Sequence, residues 1–300
     1  MNYLITGGGS GVGFALARLL TLAGESVCLV GRNRDRLDEA ANKLVGATIW
    51  ATDVGHDSFA EEIELLAKSG GAPFVGVIHA AGSVRISPVR SAHIGFDHAP
   101  VSGLLNIARA ADRGALMKGA AIVSISSVAA SRGAWGMSQY SAAKGALEAA
   151  TRSLAIELAP RFRVCAIAAG AFESPMHHKV ISGMSPSTLE TYEKKHPLGF
   201  GTAEDVAEAA LFLLSAKARW ITGCTWAVDY WQRGTGQAVR CMEYVRARSC
   251  RKNPQSRELN YCCWPQGPWK SPSASRRLKP WAPKKSRWAW MRLAVPRAWR

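Results

Sequence analysis

Two side chains that could exchange a proton with a substrate stand one helical turn apart in the segment MSQYSAAKGAL. They are Tyr140 and Lys144, and most of their neighbours are small. An i,i+4 spacing places both on one face of a helix. A phenol has a pKa of about 10, but an adjacent ammonium favours the phenolate and lowers that pKa. The spacing therefore predicts a general acid or base, with Tyr140 moving the proton.

A serine upstream adds a group that could hold a substrate oxygen. Ser127 ends the apolar segment AAIVSISS, 13 residues before Tyr140. A tyrosine and a lysine at this spacing are also typical of an ordinary amphipathic helix with a surface lysine. The serine and a glycine-rich loop near the N-terminus favour the catalytic alternative, with Ser127, Tyr140 and Lys144 as catalytic residues.

The glycine-rich loop lies in LITGGGSGVGFALARLL, between an apolar strand and an amphipathic helix. Glycine allows tight turns and close approach of the backbone to a ligand. The N-terminus of the following helix attracts phosphate. The spacing is Thr-Gly-x-x-x-Gly-x-Gly rather than Gly-x-Gly-x-x-Gly. We predict that a dinucleotide binds at Gly7, Ser10, Gly11, Val12 and Gly13.

The next two strand ends bear on the choice of cofactor. VGRNRDRL has no acid where an NAD enzyme usually holds its ribose, and Arg32, followed by Asn33, could pair with a 2′-phosphate. NADP(H) is therefore favoured over NAD(H). The alternative is that Arg32 and Arg34 only begin a solvated helix. In TDVGHD, we predict that Asp53 accepts a hydrogen bond from the adenine amino group and that Val54 contacts the adenine ring. The alternative is that Asp53 only begins a loop or caps a helix.

The elements that must position these residues alternate between strand and helix over residues 1–231. Seven apolar segments read as buried strands, which predicts an α/β fold with a doubly wound parallel sheet covered on both faces. Ligands in such sheets bind beyond the carboxyl ends of the strands. Helices are predicted at about 12–23, 34–44, 57–69, 101–117, 138–159 and 204–216.

The fourth apolar segment ends in HAAG, where small residues allow the backbone to pass close to a cofactor. We predict that Ala81 and Gly82 contribute to the cofactor site and that His79 has a structural role. Residues 172–200 are predicted to cover the substrate. His177 and His178 within them could contact an acidic group, but we expect them to be solvated.

These motifs resemble the short-chain dehydrogenase/reductase family over residues 1–231, and in particular its 3-oxoacyl-reductase-like members. TGGGSGVG, HAAG, the SS strand end, YSAAK and AAGAFESPM occur in the family's order. The resemblance implies a Rossmann-like fold and hydride transfer between a nicotinamide cofactor and a carbonyl or secondary alcohol. It also implies that Lys144 binds the nicotinamide ribose, that Ser174 holds the carboxamide, and that Gly170 and Phe172 line the nicotinamide face.

The chain departs from this family in three places. Pro100 stands where the family has a catalytic asparagine, and Asn106, six residues later, is expected to be an ordinary helix residue. Ala169 replaces a proline, and Tyr230 and Trp231 replace two glycines. Losing the asparagine would impair a proton relay to the lysine. An alternative therefore stays open, in which the chain is a cofactor-binding sensor or scaffold with little or no catalysis.

The net charge of +16 belongs almost entirely to residues 234–300. They hold 16 of the 38 Lys and Arg but only two acids, which leaves 22 basic and 20 acidic residues in 1–233. Seven prolines and few aliphatic residues predict a disordered basic tail after a single domain over 1–233. Basic and aromatic residues interleave there, so nucleic-acid binding through the tail is a less favoured alternative.

The remaining composition fits an enzyme of the cytoplasm. No apolar run reaches the ~20 residues of a membrane helix, and no cysteine pair has the spacing of a zinc or redox site. We predict no metal site and no membrane partner. A small-molecule carbonyl or alcohol substrate and a homo-oligomer are expected.

Overall fold

Seven parallel strands form a single sheet in the order β3-β2-β1-β4-β5-β6-β7. The computed structural model describes residues 2–91 and 97–229. The strands are β1 (Asn2–Thr6), β2 (Ser26–Gly31), β3 (Ala47–Ala51), β4 (Phe74–His79), β5 (Leu116–Ser127), β6 (Arg163–Ala169) and β7 (Thr225–Val228). The strand order reverses between β1 and β4, which confirms the predicted doubly wound α/β fold.

Eight α-helices occur in the described ranges. They are α1 (Gly11–Leu22), α2 (Arg34–Ala41), α3 (Phe59–Ser69), α4 (Ala99–Asp112), α5 (Ser138–Glu157), α6 (Pro175–Ile181), α7 (Pro186–Glu193) and α8 (Ala203–Leu214). The last three follow β6, and α6 and α7 occupy the segment predicted to cover the substrate.

The core has two halves, one on each face of the sheet. Successive residues of a strand point to opposite faces, so Leu4 packs in one half with Val77, and Ile5 packs in the other with Ile78. Both faces are apolar because helices cover both. This burial fixes the strand ends that carry the site.

One predicted helix is wrong at its end. The apolar pattern predicted a helix over 101–117, whereas α4 ends at Asp112 and Leu116 already pairs with Phe74 as the first residue of β5. Gly114 has a φ of +92°, a left-handed conformation that glycine adopts readily and that ends the helix. The apolar residues after it belong to the strand.

The predictions for Tyr230, Trp231 and residues 234–300 lie outside the described residues. Within the described part, no helix combines the length and the apolar character that crossing a membrane requires.

Candidate active site

A cavity of about 1300 Å³ opens at the carboxyl edge of the sheet. Its walls are the glycine-rich loop, the end of β5, the start of α5 and the segment of α6 and α7. The predicted site residues that line it are Gly7, Ser10, Gly11, Val12, Gly13, Gly82, Ser127, Tyr140, Lys144, Gly170, Phe172 and Ser174. The other predicted residues, Arg32, Asn33, Asp53, Val54 and Ala81, are not part of this lining.

The glycine-rich loop has the geometry of a phosphate cradle. Gly7 has a φ of +70°, and a Cβ atom there would lie 2.8 Å from the carbonyl group of Ala80. Its N–H donates to the carbonyl of Val30 at 2.8 Å, which ties the loop to β2. The side chain of Ser10 makes no capping hydrogen bond to α1. The first N–H groups of α1 therefore face the cavity without an intrahelical acceptor, as a phosphate requires.

An acid lies closer to Arg32 than the sequence suggested. Arg32 Nη1 is 3.9 Å from Asp53 Oδ2, and both side chains are exposed. The expectation that no acid accompanies Arg32 is therefore wrong, because β2 and β3 are neighbours and their ends meet. Asp53 Oδ1 also accepts a hydrogen bond from the N–H of Gly55 at 2.9 Å. The side chain of Asn33 caps α2 by accepting from the N–H of Arg36 at 2.9 Å.

Asn106 anchors the loop that was predicted to meet adenine. It is buried, and its Nδ2 donates to the carbonyls of Val54 at 3.2 Å and His56 at 2.9 Å. This amide holds the position of Val54 from behind. Its role is structural, and the sequence offered no signal for it.

A buried chain of hydrogen bonds joins β1, β4 and α4 through His79. Because a carbonyl oxygen only accepts, His79 Nε2 donates to Pro100 O at 2.7 Å, and Nδ1 accepts from Thr6 Oγ1 at 2.8 Å. Thr6 Oγ1 in turn accepts from the N–H of Ala81 at 3.3 Å. Burial lowers the pKa of His79 to about 4, so this imidazole is neutral at pH 7. His79 positions the strand end that carries Ala81.

Ser127 and Tyr140 meet at the cavity wall. Both side chains line the cavity, and the Ser127 hydroxyl lies close enough to Tyr140 to lower the pKa of the phenol. Ser127 Oγ accepts from the N–H of Ala129 at 3.2 Å, which fixes its direction. Ser126, the preceding residue, docks α5 on β5 by donating to Glu148 Oε1 at 2.8 Å. Ser126 therefore positions α5 against β5, whereas Ser127 lies beside Tyr140 of that helix.

Lys144 is buried one turn along the same helix. The residue is 6% exposed, and its Nζ donates to the carbonyl of Ile125 at 2.7 Å. Nζ lies 5.9 Å from the centre of the Tyr140 ring. Burial lowers the pKa of Lys144 to about 8, and the carboxylate of Asp97 acts against that shift. The ammonium thus stands behind the phenol within the cavity wall.

The protein groups do not lower the pKa of Tyr140 as the sequence predicted. Burial raises this pKa above its ordinary value, and the nearby hydroxyl of Ser127 only reduces the rise. The loss of hydration on burial therefore outweighs the polar groups around the phenol, and Lys144 directs a hydrogen bond to the carbonyl of Ile125. In the protein alone, Tyr140 is a proton donor at neutral pH.

Pro100 and Lys144 both lie beside Gly82. A Cβ atom at Gly82 would lie 3.3 Å from Lys144 Nζ and 3.5 Å from Pro100 Cγ, so the proline ring and the ammonium flank the same point. The expected asparagine would have brought an amide there. The chain offers an apolar ring instead.

The sequence did not predict the ion pair between Arg132 and Asp229 at the cavity. Arg132, after β5, is 2.5 Å from Asp229, after β7, measured between Nη1 and Oδ2. The Asp229 side chain is only 2% exposed. A Cβ at Gly170 would collide with Asp229 Oδ1, so this carboxylate requires glycine there. Residues 97 positions apart gave no local pattern that could have predicted the pair.

The residues predicted to flank the nicotinamide lie between β6 and α6. Phe172 forms an isolated bridge with Gly201. Ser174 caps α6, its Oγ accepting from the N–H of His177 at 3.1 Å, which leaves its O–H free to donate to a carboxamide. The loop therefore fits the proposed cofactor at this end too.

The expectation of two solvated histidines is wrong for one of them. His178 is exposed, but His177 is 7% exposed because it packs in a cluster of rings over the cavity. The sequence showed the residue types of this segment but not which side each would face. Among the described residues, no group of three or more His, Cys, Asp or Glu is arranged to hold a metal ion.

The similarity of this chain to known proteins covers nearly the same residues as the motifs of the sequence analysis. A family model described as Enoyl-(Acyl carrier protein) reductase matches residues 7–230. The chain is 35% identical over 228 residues to "Inactive 2-(S)-hydroxypropyl-CoM dehydrogenase 2" of Xanthobacter autotrophicus, which covers 71% of this chain and 97% of that protein. It is 33% identical over 235 residues to a 3-oxoacyl-[acyl-carrier-protein] reductase of Rickettsia prowazekii, which covers 75% of this chain and 94% of that protein.

A solved structure agrees over the same length. The short-chain dehydrogenase/reductase of Brucella melitensis described as a glucose/ribitol dehydrogenase superposes with a TM-score of 0.68 at 28% identity. The alignment covers 76% of this chain and 94% of that one.

Proposed function

The chain belongs to the short-chain dehydrogenase/reductase family, and from this premise we propose that it is an NADP(H)-dependent oxidoreductase. It interconverts a small carbonyl compound and a secondary alcohol, with Tyr140 as the general acid and base. The observation that carries the proposal is that Ser127 and Tyr140 line the same cavity wall, close enough for the serine to lower the pKa of the phenol, with Lys144 buried one turn away.

Each of the three residues has a distinct task. Ser127 donates a hydrogen bond to the substrate carbonyl oxygen and polarises it. Tyr140, protonated at neutral pH, gives its proton to that oxygen as the alcohol forms. Lys144 holds the ribose of the cofactor through its remaining N–H groups and places positive charge behind the phenol, which stabilises the phenolate left after proton transfer. The cofactor supplies the hydride.

The preference for NADP(H) rests on charge at the end of β2. Arg32 is exposed and presents a planar guanidinium that suits a 2′-phosphate. The carboxylate of Asp53, 3.9 Å from this guanidinium, reduces the net positive charge of the site. At that distance an exposed pair is weak, and a dianionic phosphate would compete for the guanidinium.

The name of one relative supports the carbonyl as reacting group. The Rickettsia protein is a 3-oxoacyl reductase, which reduces a ketone. The walls of this cavity carry aliphatic and aromatic side chains near Tyr140, including Ile86, Trp135 and Met137. An organic ketone with an apolar body fits such walls.

A second candidate is a cofactor-binding protein with little or no turnover. Pro100 in place of the expected asparagine favours it, and the relative from Xanthobacter is itself named inactive. Both candidates predict binding of NADPH. They differ in whether NADPH is consumed.

The test is a panel of ketones and aldehydes, with the full chain and NADPH, followed by the loss of reduced-cofactor absorbance. Turnover that Tyr140→Phe abolishes supports the enzyme. Tight NADPH binding by calorimetry with no turnover of any carbonyl supports the cofactor-binding alternative. Preference for NADH in the same titration contradicts the assignment of Arg32.

Three further proposals concern the surroundings of the enzyme. We expect a homo-oligomer, a cytoplasmic location and no nucleic-acid partner. Deleting residues 234–300 and measuring DNA binding at low and high salt tests the last, because binding through a basic segment falls steeply with salt.

A further inference from the structure

The rings above the cavity form a cluster of four, which we call the lid cluster: His177, Tyr192, His196 and Phe200. The ring centres of His177 and Phe200 are 4.6 Å apart in an edge-to-face contact, and His196 contacts Phe200 at 4.9 Å and Tyr192 at 4.6 Å. His177, Tyr192 and His196 also line the cavity. The cluster is therefore both the packing core of the lid and part of the wall that a substrate meets.

The two histidines of the lid cluster differ in their hydrogen bonds. His196 Nδ1 donates to the carbonyl of Tyr192 at 2.7 Å. His177 is 7% exposed, and within the described residues neither of its ring nitrogens has a hydrogen-bond partner. Leaving a buried polar atom unpaired costs about 1–3 kcal/mol, so such an atom calls for an explanation.

The chemistry of the missing partner follows from the protonation state of His177. Burial lowers its pKa, and the neighbouring His178 and His196 lower it further. The imidazole is therefore neutral at pH 7, with one N–H donor and one acceptor nitrogen. A hydroxyl group can use either nitrogen, and a carbonyl can use the N–H. An anion would gain only one N–H and no compensating positive charge from this neutral ring.

The other polar groups of the cavity agree with an uncharged ligand. Arg132 is already paired with Asp229, and Lys144 donates to Ile125. Around the lid, Met176, Val180 and Met184 add apolar wall. His177 thus lines a mainly apolar part of the cavity while its two unpaired nitrogens are buried.

We propose that His177 selects the substrate by hydrogen-bonding a second oxygen atom, a hydroxyl or a further carbonyl, on an uncharged ketone. This rests on the proposed function, since the first oxygen is the one that Ser127 and Tyr140 bind. Both ring nitrogens are buried, so the contact forms as the His177 ring or the segment of α6 and α7 shifts onto the bound substrate. The hydrogen bonds gained then hold the lid closed.

The test compares acetoin and diacetyl with methyl ethyl ketone, which has the same four-carbon chain and lacks the second oxygen. The full-length wild type should reduce acetoin or diacetyl with a kcat/KM at least about tenfold higher, the effect of one hydrogen bond. His177→Phe keeps the ring contact with Phe200 and removes both nitrogens. It should lower this ratio about tenfold from its wild-type value by losing activity on the oxygenated ketones alone. His177→Gln keeps a donor and an acceptor and should restore part of the preference.

His178→Phe is the matched control, because it makes the same change at the exposed neighbour on the same helix. It should keep the wild-type ratio. A wild-type ratio in His177→Phe would overturn the proposal, whereas failure of every form to reduce any carbonyl would overturn the proposed function and this inference together.

Stability gives a readout that does not depend on turnover. In the protein without substrate, His177→Phe should raise Tm, because it replaces two unpaired polar atoms by apolar surface. A fall in Tm would mean that the imidazole already has partners, and the proposal would then fail.

Discussion

The ammonium of Lys144 lies 5.9 Å from the centre of the Tyr140 ring and donates its hydrogen bond to the carbonyl of Ile125, 2.7 Å away. One helical turn brings the two residues to the same face of α5, but the strand end decides where the ammonium points. The pair is therefore a proton donor with a charge held behind it. Its two members should fail in different ways when each is replaced.

Tyr140→Phe should keep the fold and the NADPH affinity, because the ring still packs. It should lose more than about 90% of the single-turnover reduction rate, since the transferable proton is gone. Ser127→Ala should lose less, because Ser127 orients the carbonyl without giving up a proton. Tyr3→Phe, in β1 away from the cavity, is the control and should retain the wild-type rate. A Tyr140→Phe rate above about a tenth of wild type, a loss of only ~1.4 kcal/mol, would refute the assigned role.

The pH profiles of the two directions should differ. Burial raises the pKa of Tyr140, so the phenol stays protonated through the neutral range, and ketone reduction should change little there. Alcohol oxidation needs the phenolate, whose fraction grows about tenfold per pH unit below the pKa. Its kcat/KM should therefore rise with pH. An oxidation rate that is flat from neutral to alkaline pH would contradict a tyrosine base.

Lys144→Met should stabilise the free protein at pH 7 while weakening NADPH binding. Burial lowers the folded-state pKa of Lys144 to about 8 from 10.5, so the charged form destabilises the folded state by roughly 3 kcal/mol. The variant gains this free energy but loses the hydrogen bond to Ile125. Below about pH 8, Lys144 is charged in the folded and the unfolded protein, and the full penalty lowers the stability of the wild type. Above about pH 10.5 it is neutral in both, and the penalty vanishes. The stability of the wild type should therefore gain on the variant between about pH 8 and 10.5.

Urea unfolding of both proteins across that pH window measures this difference. Lys118→Met changes an exposed lysine at the start of β5 and serves as the control. A constant difference between wild type and Lys144→Met across the window would mean that the ammonium is not desolvated.

Cofactor preference should respond to both members of the Arg32–Asp53 pair. Arg32→Asp should narrow or invert the preference for NADPH over NADH. Asp53→Asn keeps the oxygen that accepts from Gly55 and removes the charge beside Arg32. It should strengthen NADPH binding a few-fold. Calorimetry with both cofactors measures these affinities. Equal NADPH affinity in the wild type, Arg32→Asp and Asp53→Asn would mean that Arg32 does not contact the cofactor.

Pro100→Asn should raise the single-turnover rate. Pro100 lies in the first turn of α4, where another residue is tolerated, and its carbonyl can still accept from His79. An amide there would add a polar group beside Lys144 for a proton relay. Pro100→Ala removes the same ring without adding an amide and should stay at the wild-type rate. Equal rates in the two variants would show that the asparagine position has no part in the reaction.

The sequence could predict the sheet, the glycine-rich loop and the face shared by Tyr140 and Lys144, because these depend on neighbours within a few residues. It could not predict that Ile125 would hold Lys144, that Asp53 would approach Arg32, or that Asp229 would pair with Arg132. Each contact joins residues that are distant in the chain and that only the packing of the strands and helices brings together. The burial of His177 depends likewise on packing between α6 and the residues after α7.

The Arg132–Asp229 ion pair has a consequence for how the active site is made during translation. Ser127, Tyr140 and Lys144 leave the ribosome early, whereas Asp229 follows β7 at the far edge of the sheet. A nascent chain that ends before Asp229 carries all three catalytic candidates but leaves Arg132 without its carboxylate in the cavity. The ion pair that borders the cavity therefore forms only after the last strand of the sheet has been synthesised.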